Sequence, residues 1–146
     1  RLAFAIGAEP LITALRQVKG VVDFNQSLAL QQGAIQALTR WADWPRSLHG
    51  TYRERRGRVL SVLRGGGWSC PTPGMAMYLW LPLPADAGVR KLDDETFASH
   101  VLQRSGVALT PGSGFGEGGK GWLRMALVRP TDELEDAARR LVAAVP

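Results

Sequence analysis

The stretch Gly106–Val128, GVALTPGSGFGEGGKGWLRMALV, restricts the possible folds more than any other part of the chain. Two apolar runs flank a loop dense in glycine. Val107, Ala108 and Leu109 stop at Thr110-Pro111, and a second run covers Trp122–Val128. Apolar runs of this length, bounded by Gly and Pro, fit strands in the core of a sheet. Arg124 stands inside the second run. A guanidinium there needs an anion to offset its desolvation. Its planar, permanently charged fork suits a carboxylate or phosphate. Two readings stay open: an internal ion pair with an acidic neighbour, or a small anion from outside.

The remaining chain alternates helical and extended patterns. Leu2–Ile6 reads as a buried strand ending at Gly7, and a helix follows from about Glu9 to Lys19, with Pro10 in its first turn and Gly20 closing it. A second helix starts at Ser27, with Asn25 as its cap, and carries Leu28, Gln31, Ile35, Leu38 and Trp41 on one face. Pro45 is a joint, because it disfavours helix in Trp44 and can open the next helix. That helix runs from Arg46 to Arg64, with Gly57 a weak point and Gly65-Gly66-Gly67 its end. In Trp68–Pro84 the turn Pro73-Gly74 leads into a segment apolar on both parities, which implies a strand covered on both faces, with Tyr78 and Trp80 in the core. Asp93-Asp94 begin a helix through Gln103, with Phe97, Val101 and Leu102 on one face and Gly106 at its end. Thr131 or Asp132 caps a final helix with a stripe of Leu134, Ala138, Leu141, Val142 and Val145.

A chain of 146 residues, 45% hydrophobic and 21% charged, is an ordinary globular composition. Cys70 is the single cysteine, so no disulfide framework exists and a reducing, cytoplasmic compartment is expected. No apolar run reaches membrane-spanning length, so no membrane partner is expected. The chain is basic, with 18 Lys+Arg against 13 Asp+Glu, and Arg53, Arg55, Arg56, Arg58 and Arg64 cluster on one helix. Such a patch either binds nucleic acid or forms the wet side of an amphipathic helix. With Tyr52 its only nearby aromatic and no nucleic-acid motif beside it, the second reading is preferred. His49, His100 and Cys70 are too scattered for zinc, so no metal is expected.

Pro111-Gly112-Ser113-Gly114-Phe115-Gly116, followed by Gly121-Trp122-Leu123-Arg124-Met125-Ala126, resembles the "PGxxFG … G-[YW]-[VLI]-R-[ILM]-[AS]" block of class I/II aminotransferases, pyridoxal-phosphate enzymes of the aspartate-aminotransferase fold. The blocks RLAFAIG at the start and PTPGMAMYLW at Pro71–Trp80 are similar to further family segments. The resemblance implies the C-terminal portion of such an enzyme. The fold it implies is an α/β arrangement whose small α+β domain is a mostly antiparallel sheet with helices packed on it. Residues 1–44 would end the large cofactor-binding domain and residues 45–146 would form the small domain. By the same resemblance Arg124 would bind the substrate's α-carboxylate, and Gly74 would come near the substrate. Asn25 would reach a partner subunit's site in a homodimer, unless it only caps its helix. Arg1 would contact the phosphate of pyridoxal 5'-phosphate, unless it lies frayed in solvent. The substrates would be an amino acid and a 2-oxo acid.

Other chemistry fits poorly. Gly114–Gly119 spells G-x-G-x-x-G, but a strand and not a helix follows it, which argues against a dinucleotide site. Gly119-Lys120-Gly121 lacks the Ser/Thr and the spacing of a P-loop, and Pro111 stands where the first glycine of a G-x-S-x-G elbow belongs. The cofactor chemistry itself needs a Schiff-base lysine. Lys19, Lys91 and Lys120 are the only lysines, and none has the family's Ser-Lys context. The chain begins at Arg1, within what reads as a strand, and is therefore expected to be a piece of a longer enzyme. No catalytic residue is assigned, and no transamination is expected from the chain alone. The alternative is a non-catalytic binding or self-association module.

Overall fold

The structure is a computed structural model that describes residues 2–40, 44–85 and 92–145, without the side chains of residues 44 and 45. The chain divides into two compact units, Arg1–Arg46 and Ser47–Pro146.

In the first unit, α1 (Glu9–Val22) carries Pro10 in its first turn, where a missing N–H is harmless. Gly20 does not close this helix. It continues to Val22, and Phe24, at φ 54°, takes the left-handed position while its N–H donates to the Lys19 carbonyl at 2.8 Å. Asp23 also binds the Lys19 ammonium. Helix α2 (Leu28–Arg40) follows, and Gln31 Nε2 reaches back to the Gln26 carbonyl at 2.8 Å. The expected strand Leu2–Ile6 does not form, and Ile6 is 97% exposed. A strand needs a neighbour for its backbone groups, and the described residues of this unit are otherwise helical or irregular. Neither α1 nor α2 buries a residue; Leu28 is 74% exposed and Leu38 71%.

The second unit is a small antiparallel sheet covered on one face by helices, an α/β arrangement. Helix α3 (Trp44–Gly65) runs unbroken through Gly57 and ends at the triple glycine. Gly67 adopts φ 87°; its N–H donates to Arg64 O and that of Trp68 to Leu63 O, both at 3.0 Å. This is a Schellman closure, and it brings Trp68 back over Leu63 in the core. Strands β1 (Tyr78–Pro82), β2 (Thr110–Pro111) and β3 (Trp122–Ala126) order as β1-β3-β2. Helix α4 (Asp94–Ser105) begins with Asp93 accepting from Thr96 N at 2.7 Å and ends at Gly106, φ 68°. Leu102, expected on the inner face, is half exposed, and Ala98 and Ser105 are buried instead. Helix α5 (Thr131–Ala144) starts after Pro130 without a side-chain cap, so neither Thr131 nor Asp132 has the expected capping role.

Strand period decides what faces the helices. Leu79 pairs with Met125 and Leu81 with Leu123, and these four join Leu63 and Phe97 in the core. The other parity, Tyr78, Trp80, Pro82, Trp122, Arg124 and Ala126, is only partly buried. The expected covering of both faces is therefore corrected: apolar residues occupy both parities, but the helices of this unit cover one. Val107 and Leu109 are buried, yet the ladder begins only at Thr110.

Candidate carboxylate-binding site

Arg124 lies mid-way along β3, opposite Trp80 on one side and Thr110 on the other. Its guanidinium carbon is 4.6 Å from the centre of the Tyr78 ring and 4.8 Å from that of Phe115. One nitrogen donates to Thr110 Oγ1 at 3.4 Å, a long bond. Among the described residues no carboxylate stands at ion-pair distance from it. Rings attract a cation through its faces, which leaves the in-plane N–H groups for an acceptor with carboxylate geometry. Among the described residues the internal ion pair left open by the sequence is not made.

The rings form one cluster. Trp80 meets Phe115 edge-on at 5.5 Å and stacks on Trp122 at 6.1 Å with 10° between planes. Tyr78 and Trp80, read from sequence as core, thus belong to the half-open face around Arg124. They share the strand face that the helices of this unit leave uncovered.

Phe115 arrives from the glycine loop, which folds as two 3₁₀ turns, Gly112–Phe115 and Glu117–Gly119. The turns pack backbone to backbone: a Cβ on Gly112 would meet Gly119 O at 2.1 Å, and one on Gly119 would approach Gly112 O more closely still. Asp94, 3% exposed, holds both ends of the loop. Its carboxylate accepts from Ser113 N at 2.7 Å and Gly121 N at 3.3 Å, while Ser113 Oγ donates to Glu95 at 3.1 Å. Burial alone would raise the pKa of Asp94, but the hydrogen bonds from Ser113 and Gly121 outweigh it and lower the value to about 2. Sequence reading treated the Asp93-Asp94 pair as a helix start. The cap needs only Asp93, so the second aspartate beside it is the one sequence signal of a further role, and its burial shows only in the structure.

The other nominated residues are not gathered here. Gly74 is exposed in the bend before β1, and a Cβ on it would touch nothing within 4 Å. Asn25 is exposed in the first unit and, among the described residues, its side chain has no hydrogen-bond partner, so it does not cap α2 as expected. Arg1 lies outside the described residues. Of the arginine cluster, Arg55 donates to Leu127 O, Arg58 to Glu135, and Arg64 to Cys70 O and Thr72.

The sequence model of "Aminotransferase class I and II" matches residues 1–141. The chain belongs to the class I and II aminotransferase family. An LL-diaminopimelate aminotransferase of Nitratidesulfovibrio vulgaris is 39% identical over 97% of this chain and 35% of that protein, and one of Desulforudis audaxviator is 37% identical with the same coverage. Among solved structures, a probable N-succinyldiaminopimelate aminotransferase from Thermus thermophilus superposes with TM-score 0.80 at 41% identity, over 96% of this chain and 36% of that one. The chain thus spans about a third of the length of the relatives it matches.

Class I and II aminotransferases use pyridoxal phosphate. In this member Lys19 is ion-paired with Asp23 and Lys120 with Glu117, both at the surface, and Lys91 lies outside the described residues. The described residues supply a cation for a carboxylate, and neither described lysine lies in a buried site that would enclose the cofactor. They do not fit the cofactor by themselves.

Proposed function

We propose that this chain supplies the substrate-carboxylate site of an aminotransferase that moves an amino group between an amino acid and a 2-oxo acid. It corresponds on this reading to the C-terminal part of the enzyme. The observation that carries the proposal is Arg124, held between Tyr78 and Phe115 and, among the described residues, without a carboxylate at ion-pair distance. A carboxylate entering in the guanidinium plane would make two parallel charge-assisted bonds, which fixes the orientation of the carbon attached to it. The rings shield the charge from water, so those bonds act in a less screened setting. Diaminopimelate-type substrates are the favoured class, because the relatives quoted are named for them.

The domain change near Pro45, with residues 1–44 ending the large domain, is part of the same reading. So are a homodimer, a cytoplasmic location, Gly74 near the substrate, Asn25 reaching the partner's site, and Arg1 on the cofactor phosphate. Among the described residues no helix is long and apolar enough to cross a membrane. The chain alone is proposed to be inactive, because the cofactor lysine is missing. Purified chain mixed with pyridoxal phosphate should show no visible absorbance from a lysine-bound cofactor and no turnover of an amino acid with pyruvate. Turnover would overturn that part. The carboxylate site is tested by titrating ¹⁵N-labelled chain with pyruvate. The Arg124 Nε–Hε resonance should shift, and Arg124→Lys should abolish the response of the neighbouring Thr110 amide.

A second reading rests on the exposed apolar side chains of α1 and α2: the isolated chain associates with a second copy through them.

A further inference from the structure

We propose that Asp94 is a positioning residue for the Arg124 site: its buried carboxylate gathers the two ends of the glycine loop and thereby sets Phe115 against the guanidinium. The inference rests on the carboxylate-binding reading of Arg124 given above.

The connections are short. Ser113, whose N–H meets Asp94 at 2.7 Å, sits two residues before Phe115 in the same 3₁₀ turn. Gly121, whose N–H meets the other oxygen, immediately precedes the first residue of β3 and stands three before Arg124. One carboxylate on the first turn of α4 therefore ties the turn that carries the ring to the strand that carries the cation. Helix α4 is itself anchored, since Phe97 and Val101 are fully buried. The loop cannot make these ties with its own side chains, because its 3₁₀ turns meet through Gly112 and Gly119, where a Cβ would collide with backbone.

A carboxylate suits this position better than an amide. It accepts at both oxygens, whereas an asparagine presents one acceptor and one NH₂ group, and the NH₂ would face a backbone donor. Asp94→Asn should therefore free one end of the loop while leaving the shape of α4 alone. Asp93→Ala is the matched control: it removes the Thr96 cap from the same helix end and touches neither Ser113 nor Gly121.

The test follows the Arg124 Nε–Hε resonance in the ¹⁵N-labelled chain, which the faces of two rings displace from its ordinary position. Asp94→Asn should return the resonance towards the unstacked value and weaken pyruvate binding about two- to fivefold, the loss expected when ring contacts to a cation are given up. Asp93→Ala should leave both unchanged. If Asp94→Asn does not fold, Asp94→Ser, which keeps a shorter acceptor, is expected to give the same displacement. A folded Asp94 variant with the wild-type resonance overturns the proposal. Arg124→Lys separates the two levels. If it leaves pyruvate affinity intact, the carboxylate reading fails, while the ligand-free resonance still decides the role of Asp94.

Discussion

Arg124 and Tyr78 sit diagonally across neighbouring antiparallel strands, with the guanidinium carbon 4.6 Å from the ring centre. Tyr78 is paired directly with Ala126, and the small methyl side of that pair leaves room for the arginine to lie over the ring. A cation held by ring faces keeps edge donors available beyond the one long bond to Thr110, which a bidentate ion pair would not allow. Loss of one ring should therefore weaken carboxylate binding and leave the fold intact. Phe115→Ala is expected to reduce pyruvate affinity about two- to fivefold, with the unfolding midpoint near wild type because Phe115 is half exposed.

The glycines of the loop are not equivalent. Gly112→Ala would drive a Cβ to 2.1 Å from a carbonyl oxygen of the opposing turn, and backbone cannot swing aside as a side chain can. A loss of at least about 2 kcal/mol in urea unfolding is expected. Gly118→Ala meets nothing within 4 Å and has no left-handed φ, so it should stay within about 0.5 kcal/mol of wild type.

The low pKa of Asp94 makes stability depend on acid. A carboxyl held below its unfolded value stabilises the fold above that value, and the contribution disappears as pH falls through the folded value. For Asp94 the window runs from the ordinary 3.8 down to about 2. Asp93, lowered by its hydrogen bonds from Thr96, contributes in the same direction. Urea unfolding followed from pH 5 downward should show stability falling across that window. In Asp94→Asn the part due to Asp94 should be absent, leaving a shallower slope.

Exposed apolar side chains on α2 bear on association. Leu28 and Leu38 are both largely exposed, although their hydrophobic surface would gain by leaving water. Static light scattering of the purified chain should give a mass that rises with concentration. The double variant Leu28→Glu/Leu38→Glu should lower it towards the monomer. A concentration-independent monomeric mass for the unaltered chain would remove the self-association reading.

Local patterns were enough for the parts of this protein that local physics governs. Asp93 before α4, Gly67 and Gly106 at helix ends, Pro10 in a first turn and the apolar stripe of α5 are decided within a few residues by capping, left-handed φ and helical period. The block from Pro111 to Leu127 likewise carried the family without any coordinates. Tertiary structure decided what depends on distant partners. Leu2–Ile6 has the composition of a strand but no neighbouring strand among the described residues, and a strand is stable only in a ladder. Both parities of Tyr78–Pro82 are apolar, so only the placement of α3, α4 and α5 chose Leu79 and Leu81 for the core and left Trp80 beside Arg124. The role of Asp94 rests on donors 19 and 27 residues away. No periodicity or cap rule spans that separation, because a hydrogen bond of that kind exists only once the chain has brought its two ends together.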